Sequence, residues 1–264
     1  MKIRYLPLYQ IDAFTDRLFA GNPAAVVPLE EWLPDELMQQ IAAENNLAET
    51  AFFVGRDGEY QLRWFTPAAE INLCGHATLA TAHLIFNEIQ PELERLSFRT
   101  LSGELIVERG ERGYVMDFPA TPGQAEEVSE QLTAALGNRP VAVYRSRDLM
   151  AVFPRQEDVA RLRPDFRLIE QLDVVGVIAT APGESHDFVS RFFAPRVGVP
   201  EDPVTGSAHT TLVPYWAERL QKERMTARQI SHRGGELVCR LAGNRVFMEG
   251  EAVTFLKGEI ILPE

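Results

Sequence analysis

Glu49, His76 and Asp202 are side chains able to give and take a proton, and His76 and Asp202 lie close to glycines that could help hold an anion. Glu49 lies in NLAETAFF, where an acid starts an otherwise apolar strand-like run. His76 follows Gly75 in GHATLATAHLIF. Asp202 belongs to EDPVTGSAH, with Gly206 and Ser207 close behind. A glycine that opens a helix presents free N–H groups and the positive end of the helix dipole, a setting for a carboxylate or an enolate oxygen. Moving a proton on such a substrate needs an acid and a base in distinct environments. Glu49, His76 and Asp202 are therefore the candidate acid–base groups, Ser207 a hydroxyl donor, and Gly75 and Gly206 the candidate anion-holding positions. Each has a plainer alternative: Glu49 could pair with a core arginine such as Arg63, Asp202 could be a turn residue before Pro203, and His76 could cap its helix.

These segments recur within the chain. Arg63-Trp64-Phe65-Thr66-Pro67, then Glu70 and Gly75-His76-Ala77, resembles Arg191-Phe192-Phe193-Ala194-Pro195, then Glu201 and Gly206-Ser207-Ala208. Gly103-Glu104-Leu105 answers Gly235-Glu236-Leu237, Val115-Met116-Asp117 answers Phe247-Met248-Glu249, and Ala25-Val26-Val27-Pro28 answers Ala151-Val152-Phe153-Pro154. Five blocks keep one order, which predicts two related halves of about 132 residues. The expected division is 1–118 and 119–264, with the final strand able to cross back onto the first half and a ligand cleft between the halves. The titratable groups break this symmetry: Asp202 answers Ile71, His76 answers Ser207, and the region matching Glu49, Val174-Val175-Gly176-Val177, has no acid. Glu70 and Glu201 are symmetric and read as scaffold acids, set against Arg63 and Arg191.

The elements that must position these residues follow from periodicity. Strand-like runs are Ala24–Val27, Thr50–Val54, Gln61–Phe65, Leu105–Glu108, Tyr114–Phe118, Val174–Ala179, Phe188–Phe193, Leu237–Leu241 and Arg245–Glu249. Helices are expected over Pro34–Asn45, over Glu126–Leu136 with Gly137 as its stop, and from Gly75 to Phe86, the last apolar nearly all round and so buried. A helix beginning at Gly206 meets Pro214, which should kink or shorten it. Gly243-Asn244 between two strand-like runs marks a hairpin. The class is therefore mixed, α/β or α+β, and not a purely parallel sheet.

Composition bounds the rest. Of 264 residues, 45% are hydrophobic and 24% charged, as in ordinary globular proteins. A formal charge of −12 opposes nucleic acid and anionic lipid. No run reaches the ~20 apolar residues that span a bilayer, and the first residues lack a secretory apolar core, so a cytoplasmic location is expected. Cys74 and Cys239 are too few for a disulfide framework. Cys74 reads as a buried or bystander thiol and Cys239 as core packing, while His83, His186, His209 and His232 have no metal-ligand spacing, so no metal is expected.

NLAETAFF, RWFTPAAEINLCGHATLATAH, EDPVTGSAH and FAGNPAAVV together resemble the PhzF family, the phenazine-biosynthesis-like isomerases, over essentially the whole chain. That resemblance implies an α+β fold like that of diaminopimelate epimerase: an internal duplication of two similar halves, each a curved, mostly antiparallel sheet around a central helix. It implies an isomerase without a cofactor, acting by proton transfer on a small anionic substrate of the trans-2,3-dihydro-3-hydroxyanthranilate type, and a homodimer. The family's glutamate falls on Glu49, its histidine on His76, its aspartate on Asp202 and its serine on Ser207. Amino-acid epimerases use two cysteines, and here Cys74 is matched by Thr205. An epimerase or racemase, and a non-catalytic binding protein on the same fold, are the alternatives.

Overall fold

The computed structural model describes residues 3–263. The chain divides into two compact units, one formed by Met1–Asp117 with Glu249–Glu264 and the other by Phe118–Met248. Each is α+β. Among the described residues no helix is long and apolar enough to cross a membrane.

In the first unit Asn22–Leu29 runs parallel to Glu49–Arg56. A parallel pair needs a crossover, and the helix Asp35–Asn45 supplies it, started at Pro34 and ended at Asn46, whose φ of 51° is left-handed. Glu49–Arg56 then pairs antiparallel with Glu59–Phe65, which is parallel to Arg95–Thr100, which is antiparallel to Gly103–Arg109. The helix Gly75–Leu84 bridges that second parallel pair. The strand Ile3–Ala13 pairs with Asn22–Leu29 on one side and Ala252–Pro263 on the other, both antiparallel.

The second unit runs through the same succession. Leu149–Val152 is parallel to Val177–Pro182, which is antiparallel to Phe188–Ala194, which is parallel to Arg224–Gln229, which is antiparallel to Gly235–Ala242. The helix Gly206–Leu220 bridges its second parallel pair.

Gly75–Leu84 is the core of its unit, and every residue except His83 is buried. Its glycine, alanines and threonines let strands approach closely, and its polar atoms are satisfied locally: Thr78 and Thr81 donate to the carbonyls of Cys74 and Ala77. The helix widens at its end into a π-helical turn, Ile85–Ile89.

Three expected elements differ. The helix expected from Glu126 begins at Glu130, because Ser129 caps it by accepting the Leu132 N–H, and Gln124–Glu126 is a strand. The strand expected from Val174 begins at Val177. Pro214 does not end its helix, which runs on to Leu220. A proline removes the N–H that would reach the carbonyl four residues back. Here that carbonyl, of Thr210, accepts the Thr121 N–H at 2.9 Å, so the lost bond is replaced from outside the helix.

Candidate active site

Glu49 is the first residue of its strand, paired with Ala24. His76 is the second residue of the helix Gly75–Leu84. The fold brings these two together: His76 Nε2 lies 3.1 Å from Glu49 Oε2, with side-chain exposures of 5% and 12%. The contact has the length of an ion pair but not the alignment of a hydrogen bond, and neither atom has a hydrogen-bond partner. Buried polar atoms without partners are rare, and two of them facing each other call for an explanation.

On the other edge of the ring, Cys74 Sγ lies 3.5 Å from His76 Nδ1. Burial works against a charge on His76, but Cys74 and Glu49 outweigh it and hold the imidazole pKa well above its ordinary value. Burial, reinforced by the charge of Glu49, pushes the Cys74 thiol up. Cys74 is thus buried as expected, with its sulfur against the His76 ring. Cys239 is fully buried on its strand, and burial raises its pKa as well. Glu49, Cys74 and His76 each offer one potential metal-ligand atom within 4.8 Å of the others. Within this cluster the sulfur faces Nδ1 and the carboxylate faces Nε2.

Arg63 is not the partner of Glu49. It grips Glu70 with two bonds of 2.7 Å, reaches Asp35 at 2.9 Å, and lies over the Phe65 ring. Arg191 grips Glu201 in the same way at 2.8 Å and lies over Phe193. Both arginine–glutamate forks tie a strand to the segment leading to a glycine-opened helix, the scaffold role that their symmetry suggested.

In the second unit Asp202 ends the strand Val199–Asp202, and its carboxylate accepts the Thr205 hydroxyl. Gln229 secures this corner: its Nε2 donates to the Asp202 carbonyl at 2.7 Å, and its Oε1 accepts the Thr205 N–H at 2.8 Å. Ser207 is the second residue of the helix Gly206–Leu220, and its hydroxyl accepts from Arg147 at 3.1 Å. The same Arg147 nitrogen bonds the buried Asp148 at 2.8 Å. Asp202 and Ser207 therefore lie at one helix start, each with its own partner. Gly75 and Gly206, both buried, open their helices, and neither Cys74 nor Thr205 places its side chain as a cap, so no side chain at the N-cap closes the first-turn N–H groups.

Sequence reasoning missed Gln229, Arg147 and Asp148. Gln229 had a signal, since it takes the inward position of an alternating strand, Arg224–Gln229, where an apolar residue is expected. Arg147 and Asp148 precede the strand Leu149–Val152 and had none. His209 reaches the Thr205 carbonyl at 2.8 Å, matching Thr78 on Cys74, and burial lowers its pKa to about 4.

Residues 11–258 match the profile of the family described as phenazine biosynthesis-like protein. An uncharacterized isomerase of Pseudomonas aeruginosa is 52% identical, covering 97% of this chain and 99% of its own. The crystal structure of a phenazine biosynthesis protein of the PhzF family from Enterococcus faecalis has a TM-score of 0.95 at 49% identity, over 97% of this chain and 99% of that one. A hydroxyproline epimerase from Agrobacterium vitis shares the fold at a TM-score of 0.63 and 10% identity, covering 99% of this chain and 94% of its own. The repeated motifs, the two glycine-opened helices and these matches lead to one conclusion: the chain belongs to the phenazine biosynthesis-like (PhzF) family.

Proposed function

We propose that this protein is a cofactor-independent isomerase that moves a proton on a small cyclic or unsaturated carboxylate, of the trans-2,3-dihydro-3-hydroxyanthranilate type. The observation that carries the reading is the buried pair of Glu49 and His76, 3.1 Å apart with both facing atoms lacking a hydrogen bond. Such atoms are ready to exchange a proton with a substrate atom placed between or beside them. Glu49 takes the proton from carbon and returns it at another carbon. His76 stabilises the carboxylate while it waits and exchanges protons through Nε2.

The uncapped helix starts at Gly75 and Gly206 suit the substrate's negative charge. Ser207 adds a hydroxyl, held by Arg147, and Asp202 a second proton-transfer group, held by Thr205. A two-thiol racemase has less support, because Cys74 is matched by Thr205 and burial disfavours its thiolate.

The test is incubation with trans-2,3-dihydro-3-hydroxyanthranilate and with related unsaturated carboxylates in deuterated water, following label uptake at carbon by NMR. Uptake by the wild-type protein that is lost in Glu49→Gln is the expected result. Wild-type uptake by Glu49→Gln would refute the assignment, and no uptake with any of these acids would refute the substrate class.

A further inference from the structure

Cys74 and Thr205 occupy the same place, the residue before a helix-opening glycine, and both forgo the usual task of that place. Threonine commonly caps a helix by accepting a first-turn N–H, yet neither Thr205 nor Cys74 makes such a bond. Both backbones are extended there, with φ of −143° at Cys74 and −113° at Thr205, and both side chains are turned to another task. Cys74 Sγ meets His76 Nδ1, and the Thr205 hydroxyl donates to Asp202 Oδ2. In each unit the diverted side chain holds one of the residues assigned to proton transfer.

We infer that Cys74 is the positioning residue of His76: its sulfur occupies the Nδ1 edge of the buried imidazole, fixes the ring's rotation, and leaves Nε2 as the one nitrogen that exchanges a proton. The inference rests on the reading of Glu49 and His76 as proton-transfer groups. An imidazole carries a nitrogen on each edge, and a half-turn of the ring exchanges them. With sulfur at Nδ1 the half-turn loses its only hydrogen-bond partner among the described residues, whereas Nε2 has none to lose.

The proton cycle then stays on one side of the ring. The charged imidazole donates Nδ1–H to sulfur and carries its second proton on Nε2, toward Glu49. When Nε2 gives that proton to the carboxylate or to the substrate, the neutral ring keeps Nδ1–H on sulfur, and the same step reversed restores it. No bond to sulfur forms or breaks, so a buried protonated thiol suffices. The arrangement also explains why one thiol is enough: a two-base epimerase needs a second at position 205, where this chain has a threonine that holds Asp202 instead.

The test is ¹⁵N NMR of the histidine ring nitrogens in the full-length protein and in Cys74→Ala and Cys74→Ser, which needs no substrate. Wild type should show His76 Nδ1 bonded to a slowly exchanging hydrogen. Cys74→Ser, which keeps an acceptor at the same place, should retain that signature, and Cys74→Ala should lose it to faster exchange or averaged tautomers. Turnover of the dihydroanthranilate probe should fall about three- to tenfold in kcat for Cys74→Ala, the scale of one lost hydrogen bond, and stay within about twofold of wild type for Cys74→Ser.

An unchanged His76 spectrum in Cys74→Ala overturns the inference. Equal and near-complete loss of turnover in both variants, with the His76 signature intact in the serine variant, also overturns it and makes the thiol itself the proton-transfer group. Failure of the underlying reading is separately visible, as wild-type turnover in Glu49→Gln.

Discussion

His76 Nε2 lies 3.1 Å from Glu49 Oε2 inside the first unit, close enough for an ion pair, and neither atom completes a hydrogen bond. A pair kept only for stability would be aligned, since an unmade buried bond forfeits about 1–3 kcal/mol. Misalignment at contact distance leaves both groups available to a third. Glu49→Gln keeps the size of the side chain and removes the base, so label uptake from deuterated water should fall ~10²–10⁴-fold, the usual contribution of a placed acid or base. His76→Gln should fall within the same range.

Acid should weaken the fold through His209. Burial holds its pKa at about 4, against an ordinary value of 6.5. At pH 5 the unfolded chain therefore binds a proton that the folded chain does not. The stabilisation is complete above about pH 6.5 and is lost as pH falls toward 4, below which the dependence on this group levels off. The shift corresponds to about 3 kcal/mol. Urea unfolding at pH 7 and pH 4.5 should show this slope added to that of His83, whose pKa burial also lowers to about 4, and His209→Leu should lose the His209 share; a slope in the variant equal to that of the wild type would show that His209 does not contribute.

The two arginine–glutamate forks should not be equally replaceable. Arg191 also donates to the carbonyls of Val159 and Leu162 at 3.1 and 3.0 Å, whereas the further side-chain partner of Arg63 is Asp35, largely exposed. A lysine offers one point charge and cannot make a fork and two carbonyl bonds together. Arg191→Lys should cost about 2–3 kcal/mol and Arg63→Lys about 1 kcal/mol in chemical denaturation. Equal costs would remove the carbonyls from the explanation.

Exhaustive dialysis against a chelator should leave turnover unchanged. The sulfur and the carboxylate beside His76 sit at different ring nitrogens, and the proposed steps use only protons. A loss of activity restored by a divalent cation would contradict the arrangement.

Much of this could be read from the chain itself. The repeated R-[WF]-F run and the glutamate that follows it encode a strand and the fork that ties it down, and both forks form. The apolar sequence after Gly75 can only be a buried helix, and it is one. The Ser129 cap that shortens the helix before Gly137 was legible in principle, because serine is a common N-cap. The survival of the helix through Pro214 was not legible. It depends on Thr121, far away in sequence, presenting its N–H to the Thr210 carbonyl.

The sequence by itself determined the family motifs, the burial of the helix after Gly75 and the short list Glu49, His76, Asp202 and Ser207, because residue type, spacing and periodicity are local properties. Tertiary structure decided what those residues touch. Glu49 meets His76 and not Arg63, Cys74 meets His76, Arg147 holds Ser207 and Gln229 locks Thr205. Most of these pairs lie tens of residues apart and depend on strand register and helix placement, while the turn of Cys74 toward His76 depends on an N-cap side chain giving up its cap. Such pairings are set by how strands and helices pack, which a linear pattern does not encode.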